Sequence, residues 1–198
     1  VAAPGDAGME TGGAGCALRP FGCEQNLLSR PDGSATFVQV TMAAATSTYS
    51  KMQTKPSKKP FLNVKLLLSG SNFLLPISEK IKEQMIRKTC EAVILTALHP
   101  RTSVTVILQI VHDAGALLSC CLNAACMALM DAGLPMKSLF CGVSCGIDLD
   151  KNILLDPVAK QEKECRSLLT FAIDSTENKV LMSSTSGTYS IEEVGGRF

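Results

Sequence analysis

Tryptophan is absent from this sequence of 198 residues, which contains only two tyrosines and two histidines. Proteins that bind single-stranded nucleic acid without sequence preference stack the bases on aromatic side chains, and few such side chains are present here. The formal net charge is only +1, which excludes a strong attraction of the whole surface to phosphate backbones. Any contact with nucleic acid must therefore come from a local basic patch.

The two histidines also restrict the catalytic chemistry. His99 and His112 lie at the ends of predicted elements, next to Pro100 and Asp113 respectively. No serine or cysteine nucleophile is spaced around either histidine in a recognisable motif. The sequence therefore predicts no hydrolytic triad, and we expect Asp113 to cap the helix that follows it.

The chain opens without a secretory apolar segment, and its longest apolar stretch is interrupted by Asn123. We therefore expect neither a signal peptide nor a membrane span. Nine cysteines are present, and five of them lie in apolar runs, where a free cysteine behaves as a small hydrophobe. These five are Cys120, Cys121, Cys126, Cys141 and Cys145. The odd total predicts reduced thiols in cytosol or nucleus, and no four-ligand cluster for zinc is apparent.

The stretch from His112 to Pro135 organises the rest of the chain. It follows an apolar, β-branched run and continues through Ala, Leu, Cys and Met residues at helical spacing. Both sides of this helix are apolar, so we predict that it is buried on most faces. Gly133 and Pro135 are expected to end it.

Strands and helices alternate around this stretch, which predicts an α/β fold. A second helix is expected from Ser78 to Pro100, with a basic loop over Ser50–Lys59 that is either a solvated hairpin or an RNA-facing loop. The predicted strands are Ala35–Tyr49, Phe61–Leu68, Thr102–Val111, Ser138–Asp148, Ile153–Asp156, Cys165–Asp174 and Lys179–Ser184.

Three stretches carry a resemblance to a known family. They read CEQNLLSRPDGSA from Cys23 to Ala35, IRKTCEAVILTALHPRTSVTVILQIVHDAGALLSCCLNAACMALMDAG over residues 86–133, and LLDPVAKQEKE from Leu154 to Glu164. These stretches resemble the RNase PH family and, within it, the RNase PH-like ring subunits of the eukaryotic RNA exosome. The resemblance implies mixed sheets packed on buried helices, as in domain 2 of ribosomal protein S5, assembled into a six-membered ring that threads single-stranded RNA.

The resemblance also implies a domain organisation. Residues 16–187 form the RNase PH-like domain, preceded by a Gly- and Ala-rich segment, 1–15, that is expected to be a disordered tail. Residues 188–198 are a shortened C-terminal segment where the family continues into a long helix. The match is weakest over 40–78.

RNase PH enzymes perform phosphorolysis at an RNA 3′ end. Active members follow the aspartate before the central helix with a Gly, a hydroxyl residue and a phosphate-binding Arg. Here Asp113 and Ala114 are followed by Gly115, Ala116 and Leu117, so the resemblance implies a degenerate phosphate site that lacks its cation.

Asp156 and Glu162 match the two family acids and are vestigial catalytic candidates. Read without the family, Asp156 is a turn or cap residue, and Glu162 belongs to a solvated face. Arg87 and Lys88 lie near a position where active members contact RNA, although they also fit an exposed helix surface. No metal and no cofactor are expected.

The leading hypothesis is a noncatalytic structural ring subunit of the RNA exosome, found in nucleus, nucleolus and cytoplasm. Its expected partners are other RNase PH-like ring subunits, cap subunits and single-stranded RNA, with no membrane. Two alternatives stay open. One is an enzyme, either a phosphorolytic exoribonuclease or a metal-dependent nuclease that uses Asp156 and Glu162, and the other is a free-standing nucleic-acid-binding oligomer.

Overall fold

The computed structural model describes residues 18–40, 45–56, 61–68, 77–98 and 102–190. The predicted tail, His99, Pro100 and the last eight residues lie outside these ranges. The described residues form two β-sheets and three α-helices. No helix among them is long and apolar enough to cross a membrane.

The first sheet contains five strands in the order β1-β2-β3-β5-β4. Only β4 and β5 are parallel. Parallel neighbours need a crossover connection, which α1 (Ile77–Val93) provides. The strands are β1 (Phe21–Gln25), β2 (Gly33–Val40), β3 (Ala45–Pro56), β4 (Phe61–Leu68) and β5 (Thr102–His112).

The second sheet contains four antiparallel strands in the order β7-β6-β8-β9. A short helix, α3 (Ala159–Glu164), lies between β7 and β8 along the chain. The sequence did not predict this helix, because its six residues are too few to show a period. The strands are β6 (Phe140–Ile147), β7 (Ile153–Leu155), β8 (Ser167–Asp174) and β9 (Val180–Gly187).

The central helix, α2 (Leu117–Asp131), packs against both sheets. Its fully buried residues lie on all of its sides, as predicted from the composition. Glycines in the sheets allow this close approach. A Cβ atom on Gly33 would lie 2.5 Å from the backbone nitrogen of Ala132, and one on Gly142 would lie 2.9 Å from Cβ of Leu122.

The predicted end of α2 is confirmed. Gly133 has a φ of 64°, a left-handed conformation that favours glycine. Its N–H donates to the carbonyl of Met130, and the N–H of Leu134 donates to that of Leu129. These two bonds are the Schellman motif, which satisfies carbonyls that the last helical turn leaves unpaired.

Three predicted elements differ from the structure. Ala35–Tyr49 is not one strand, because the chain reverses after β2 and Val40 pairs with Ala45 in β3. The alanine-rich middle has weak β-propensity. The basic run Ser50–Lys59 is not a loop as far as Pro56, because β3 pairs with β5 up to that residue. Residues 57–60 lie outside the described ranges.

The helix predicted to reach Pro100 ends at Val93. Ile94 instead forms a bridge with Met136, and a 3-10 turn follows at Thr96–Leu98. Pairing across the fold therefore overrides the helical pattern. The apolar runs do not bury all five of their cysteines, because Cys141 is exposed while the other four are buried. Side chains alternate across a strand, and the neighbours of Cys141 face α2.

Candidate functional site

The turn before α2 is shaped by two residues with positive φ. Gly115 has a φ of 103° and Ala116 a φ of 56°. A Cβ atom on Gly115 would lie 2.5 Å from the backbone nitrogen of Ala159, at the start of α3. The N–H of Ala159 donates to the carbonyl of Ala114 at 2.9 Å. The turn and α3 are therefore in direct backbone contact.

The carboxylate of Glu162 occupies the N-terminus of α2. Its Oε1 atom accepts a hydrogen bond from the N–H of Ala116 at 2.7 Å. Ala116 is the N-cap residue and supplies no side-chain cap. The unpaired N–H groups of a helix N-terminus attract anions, and here an acid from another helix provides one. The interpretation of Glu162 as part of a solvated face is therefore wrong, since its side chain is half-buried.

Asp113 does not cap α2, contrary to prediction. Its Oδ1 atom accepts the N–H of Gly115 at 3.0 Å, within the turn itself. The positive φ angles of Gly115 and Ala116 redirect the chain between Asp113 and the helix. The capping contact is made instead by Glu162, which lies 46 residues after Ala116.

A cavity of about 210 Å³ adjoins this N-terminus. Leu117 and Ala116 line it, together with Lys82 of α1 and the carboxylates of Asp113 and Glu162. The hydroxyls on its wall belong to Ser144, Thr170, Ser184 and Ser186. The cavity therefore holds one basic side chain and two acidic ones.

The sequence analysis does not identify Lys82 as a site residue, although its spacing on α1 indicates that it lies on the buried side of the helix. It lies four residues before Ile86 and eight before Cys90, both of which are buried on one side of α1. Its charge also reaches the buried thiol of Cys121. Burial raises the pKa of this thiol, the charge of Lys82 lowers it, and that of Asp113 raises it. Lys82 thus provides a positive charge near Leu117 that the sequence interpretation did not include.

Asp156 forms a buried ion pair with Arg19. The Nε atom of Arg19 donates to Oδ2 at 2.7 Å, and its Nη2 atom donates to Oδ1. Nε2 of Gln39 also donates to Oδ2, at 3.3 Å. The two charged side chains are 9% and 2% exposed. Asp156 lies in a bend with a left-handed φ of 54°, as the turn interpretation predicts, and its side chain forms the ion pair instead of capping a helix.

This arrangement does not fit a metal site at Asp156. A metal ion would compete with Arg19 and Gln39 for the carboxylate oxygens of Asp156, and it would lie beside a guanidinium charge. Among the residues that the structure describes, no three His, Cys, Asp or Glu side chains are grouped as metal ligands. Asp156 also borders a second, larger cavity, whereas Glu162 borders the smaller one.

The two candidate RNA contacts lie away from both cavities. Arg87 forms an ion pair with Glu91, one helical turn further on, at 2.9 Å. Lys88 is exposed on the same helix. Neither residue lines the cavity at Leu117 or the larger cavity. The structure brings Glu162 directly to the degenerate phosphate site. It links Asp156 to the same turn through Arg19, whose Nη2 atom donates to the carbonyl of Gly115 at 3.4 Å. Arg87 and Lys88 lie elsewhere.

Comparison with known proteins shows which family the chain matches. A model described as the 3′ exoribonuclease family, domain 1, matches residues 17–135, and the corresponding domain 2 model matches residues 138–194. The chain is 33% identical over 169 residues to an exosome complex exonuclease RRP46 homolog of Arabidopsis thaliana, covering 83% of this chain and 70% of that relative. It is also 33% identical over 152 residues to the RRP46 homolog of Oryza sativa subsp. japonica, covering 76% and 64%.

Solved structures agree with the predicted fold. The crystal structure of rice Rrp46 superimposes with a TM-score of 0.82 at 30% identity, over 89% of this chain and 84% of that one. An archaeal exosome core subunit shares the fold, with a TM-score of 0.71 at 21% identity, over 88% and 78%. The predicted α/β fold and the resemblance are confirmed, and the chain belongs to the 3′ exoribonuclease, or RNase PH, family.

Proposed function

We propose that this chain is a noncatalytic structural ring subunit of an RNA exosome and supports 3′-to-5′ RNA processing and degradation by partner subunits. Several relatives are named as exosome complex components. The plant relatives carry the word exonuclease in their names. The noncatalytic part of the proposal therefore rests on the site residues of this chain.

The observation that carries the proposal is the position of Glu162. A phosphate ion bound at the N-terminus of α2 would compete with the carboxylate of Glu162, which already accepts the N–H of Ala116. Leu117 cannot supply the charge-assisted hydrogen bond of an arginine, typically worth about 1.5–3 kcal/mol. The adjoining cavity carries two carboxylates against the single amine of Lys82, so a phosphate dianion would meet net repulsion there.

The first family acid is also engaged. Asp156 is neutralised by Arg19, which additionally reaches the carbonyl of Gly115 at 3.4 Å. Removing one partner of such a buried pair strands a charge, so Asp156 is held in a structural role. In this proposal Asp156 balances the charge of Arg19, and Glu162 caps the N-terminus of α2. The two acids do not act as a catalytic pair.

The partners in this proposal are other RNase PH-like ring subunits, cap subunits, and single-stranded RNA that passes through the ring. Arg87 and Lys88 are the basic residues proposed to contact that RNA, since Lys88 is exposed and Arg87 is half-exposed. The proposed location is nucleus, nucleolus and cytoplasm, where a complex that processes and degrades RNA would act.

A phosphorolytic enzyme is the second candidate, and Lys82 is the observation that favours it. Its amine could take part of the role of the missing arginine beside Leu117. An ammonium group binds phosphate as a point charge, without the paired geometry of a guanidinium. The proximity of Asp113 and Glu162 offsets this charge, so we rank the enzyme below the structural subunit.

A phosphorolysis assay separates the two candidates. The purified chain, alone and assembled with its ring partners, is incubated with single-stranded RNA and inorganic phosphate, and nucleoside diphosphate release is measured. We expect no release that depends on this chain. Release by wild-type protein that is lost in Lys82→Ala would contradict the proposal. Metal-dependent cleavage that is abolished by the double variant Asp156→Asn, Glu162→Gln would contradict it as well.

A further inference from the structure

The larger of the two cavities has a volume of about 550 Å³ and is lined by residues of both sheets and of α2. Its apolar lining includes Phe21 and Phe37 of the first sheet, Met127 and Met130 of α2, and Phe140 of the second sheet. Ligand sites in proteins are typically cavities of about 300–1,000 Å³ with mostly apolar walls and a few polar groups. The size and the lining of this cavity match that description.

Two residues that line this cavity each have one buried polar atom without a hydrogen-bond partner among the described residues. These atoms are Nη1 of Arg19 and Oε1 of Gln39. Nε and Nη2 of Arg19 bond to Asp156, so the planar guanidinium directs Nη1 away from that carboxylate. Gln39 is 8% exposed and donates its Nε2 to the same carboxylate. Buried polar groups in native proteins are rarely left unpaired, so this donor and this acceptor indicate a missing partner.

Other polar side chains of the cavity wall already have partners within the chain. Asn123 exchanges two hydrogen bonds with the main chain of Gly142. The hydroxyl of Ser119 donates to a carbonyl at the start of α2, and the carboxylate of Asp174 accepts two backbone N–H groups. The unpaired donor on Arg19 and the unpaired acceptor on Gln39 therefore define which polar groups a ligand must carry.

The charges on the cavity wall favour a neutral ligand. Arg19 is the one basic side chain among the described residues of the wall, and Asp156 balances its charge. The buried carboxylate of Asp174 adds a further negative charge. A phosphate or carboxylate group in the cavity would therefore meet net repulsion. This excludes nucleotides as well-matched ligands.

We infer that the larger cavity binds a small, neutral, planar aromatic molecule that carries a lactam, in which a ring C=O lies next to a ring N–H. The C=O accepts a hydrogen bond from Nη1 of Arg19, and the N–H donates to Oε1 of Gln39. One ligand can reach both side chains because they meet at the same oxygen, Oδ2 of Asp156. The ring packs on phenylalanine and methionine side chains, which favour contact with aromatic ligands. The inference does not depend on the proposed function as a ring subunit.

An NMR titration of the full chain with 2-quinolinone, a planar bicyclic lactam, tests the inference. The matched control is N-methyl-2-quinolinone, which keeps the ring and the carbonyl but has no N–H. Wild-type protein should bind 2-quinolinone saturably and the N-methyl compound about tenfold or more weakly, because Oε1 of Gln39 then stays unpaired. In Gln39→Leu the two compounds should bind within about threefold of each other. Circular dichroism melting verifies that the variant is folded.

A second measurement uses wild-type protein alone and locates the bound probe. Cys141 is an exposed thiol that lines the cavity, whereas Cys23 is an exposed thiol that does not. Saturating 2-quinolinone should slow the alkylation of Cys141 by iodoacetamide about fivefold or more, because the probe covers that thiol while it is bound. The alkylation of Cys23 should not change.

Four outcomes would overturn the inference. Absence of saturable 2-quinolinone binding at millimolar concentration would leave ordered water as the partner of the two polar atoms. Unchanged alkylation of Cys141 would place the probe elsewhere. A preference for 2-quinolinone that persists in Gln39→Leu would come from the bulk of the methyl group and not from the N–H. Tighter binding of uridine monophosphate than of uracil would replace the neutral ligand with RNA.

Discussion

At the scale of single residues, two carboxylates of the family pattern have acquired internal partners. Asp156 is paired with the guanidinium of Arg19, and Glu162 accepts the N–H of Ala116. These contacts connect positions 137 and 46 residues apart. A sequence pattern places an acid in a motif but contains no information about distant partners. The acids were therefore identified from sequence, whereas their surroundings required the structure.

Arg19→Ala should destabilise the fold strongly. The change leaves the 2%-exposed carboxylate of Asp156 without its counter-charge, and breaking a buried pair costs about 3–5 kcal/mol. Urea unfolding followed by circular dichroism measures the loss. Arg30→Ala is the control, because Arg30 is exposed. The double variant Arg19→Ala, Asp156→Ala should be more stable than Arg19→Ala alone, and equal stabilities would show that the pair is not coupled.

Glu162→Ala should lower the free energy of unfolding by about 1 kcal/mol, the usual contribution of an anion at a helix N-terminus. The N–H of Ala116 loses its acceptor in this variant. Glu164→Ala, on the exposed side of the same short helix, should change stability by less than about 0.5 kcal/mol. Chemical denaturation measures both variants. Equal effects would indicate that the Glu162 contact does not stabilise α2.

At the scale of elements, prediction succeeded where the signal was local and continuous. The apolar composition of α2, the apolar run of β4 and the β-branched run of β5 identify these elements without reference to any partner. β1 and α3 were missed because each is only five or six residues long and shows no clear period. The loop prediction over Ser50–Lys59 fails as far as Pro56, for a different reason. Its polar residues form a strand because β2 and β5 pair with it on both sides.

Two strand glycines test how closely the first sheet approaches α2. A Cβ atom at Gly33 would clash with backbone atoms at the end of α2, whereas one at Gly22 would meet nothing within 4 Å. Gly33→Ala should therefore cost about 1–3 kcal/mol, the range for overpacking a core. Gly22→Ala should be neutral or slightly stabilising. Thermal melts of the two variants check this, and similar melting temperatures would contradict the packing described here.

At the scale of the whole molecule, one helix between two sheets connects the fold to the functional site. α2 packs on both sheets along its length, and its N-terminus meets α3, which carries Glu162. The sequence indicated this scaffold and the loss of the arginine at Leu117. It did not indicate that Lys82 lines the same cavity, because α1 and α2 approach each other only in the folded chain. The central question for the molecule is whether this site still accepts an anion.

Titration of inorganic phosphate into the folded chain, followed by isothermal calorimetry, tests the central claim most directly. The wild-type protein should show no saturable binding at millimolar phosphate, because the carboxylate of Glu162 already lies at the helix N-terminus and Leu117 carries no charge. The double variant Leu117→Arg, Glu162→Gln should bind, since it restores a guanidinium and removes the competing carboxylate. Saturable binding by wild-type protein that disappears in Lys82→Ala would contradict the account.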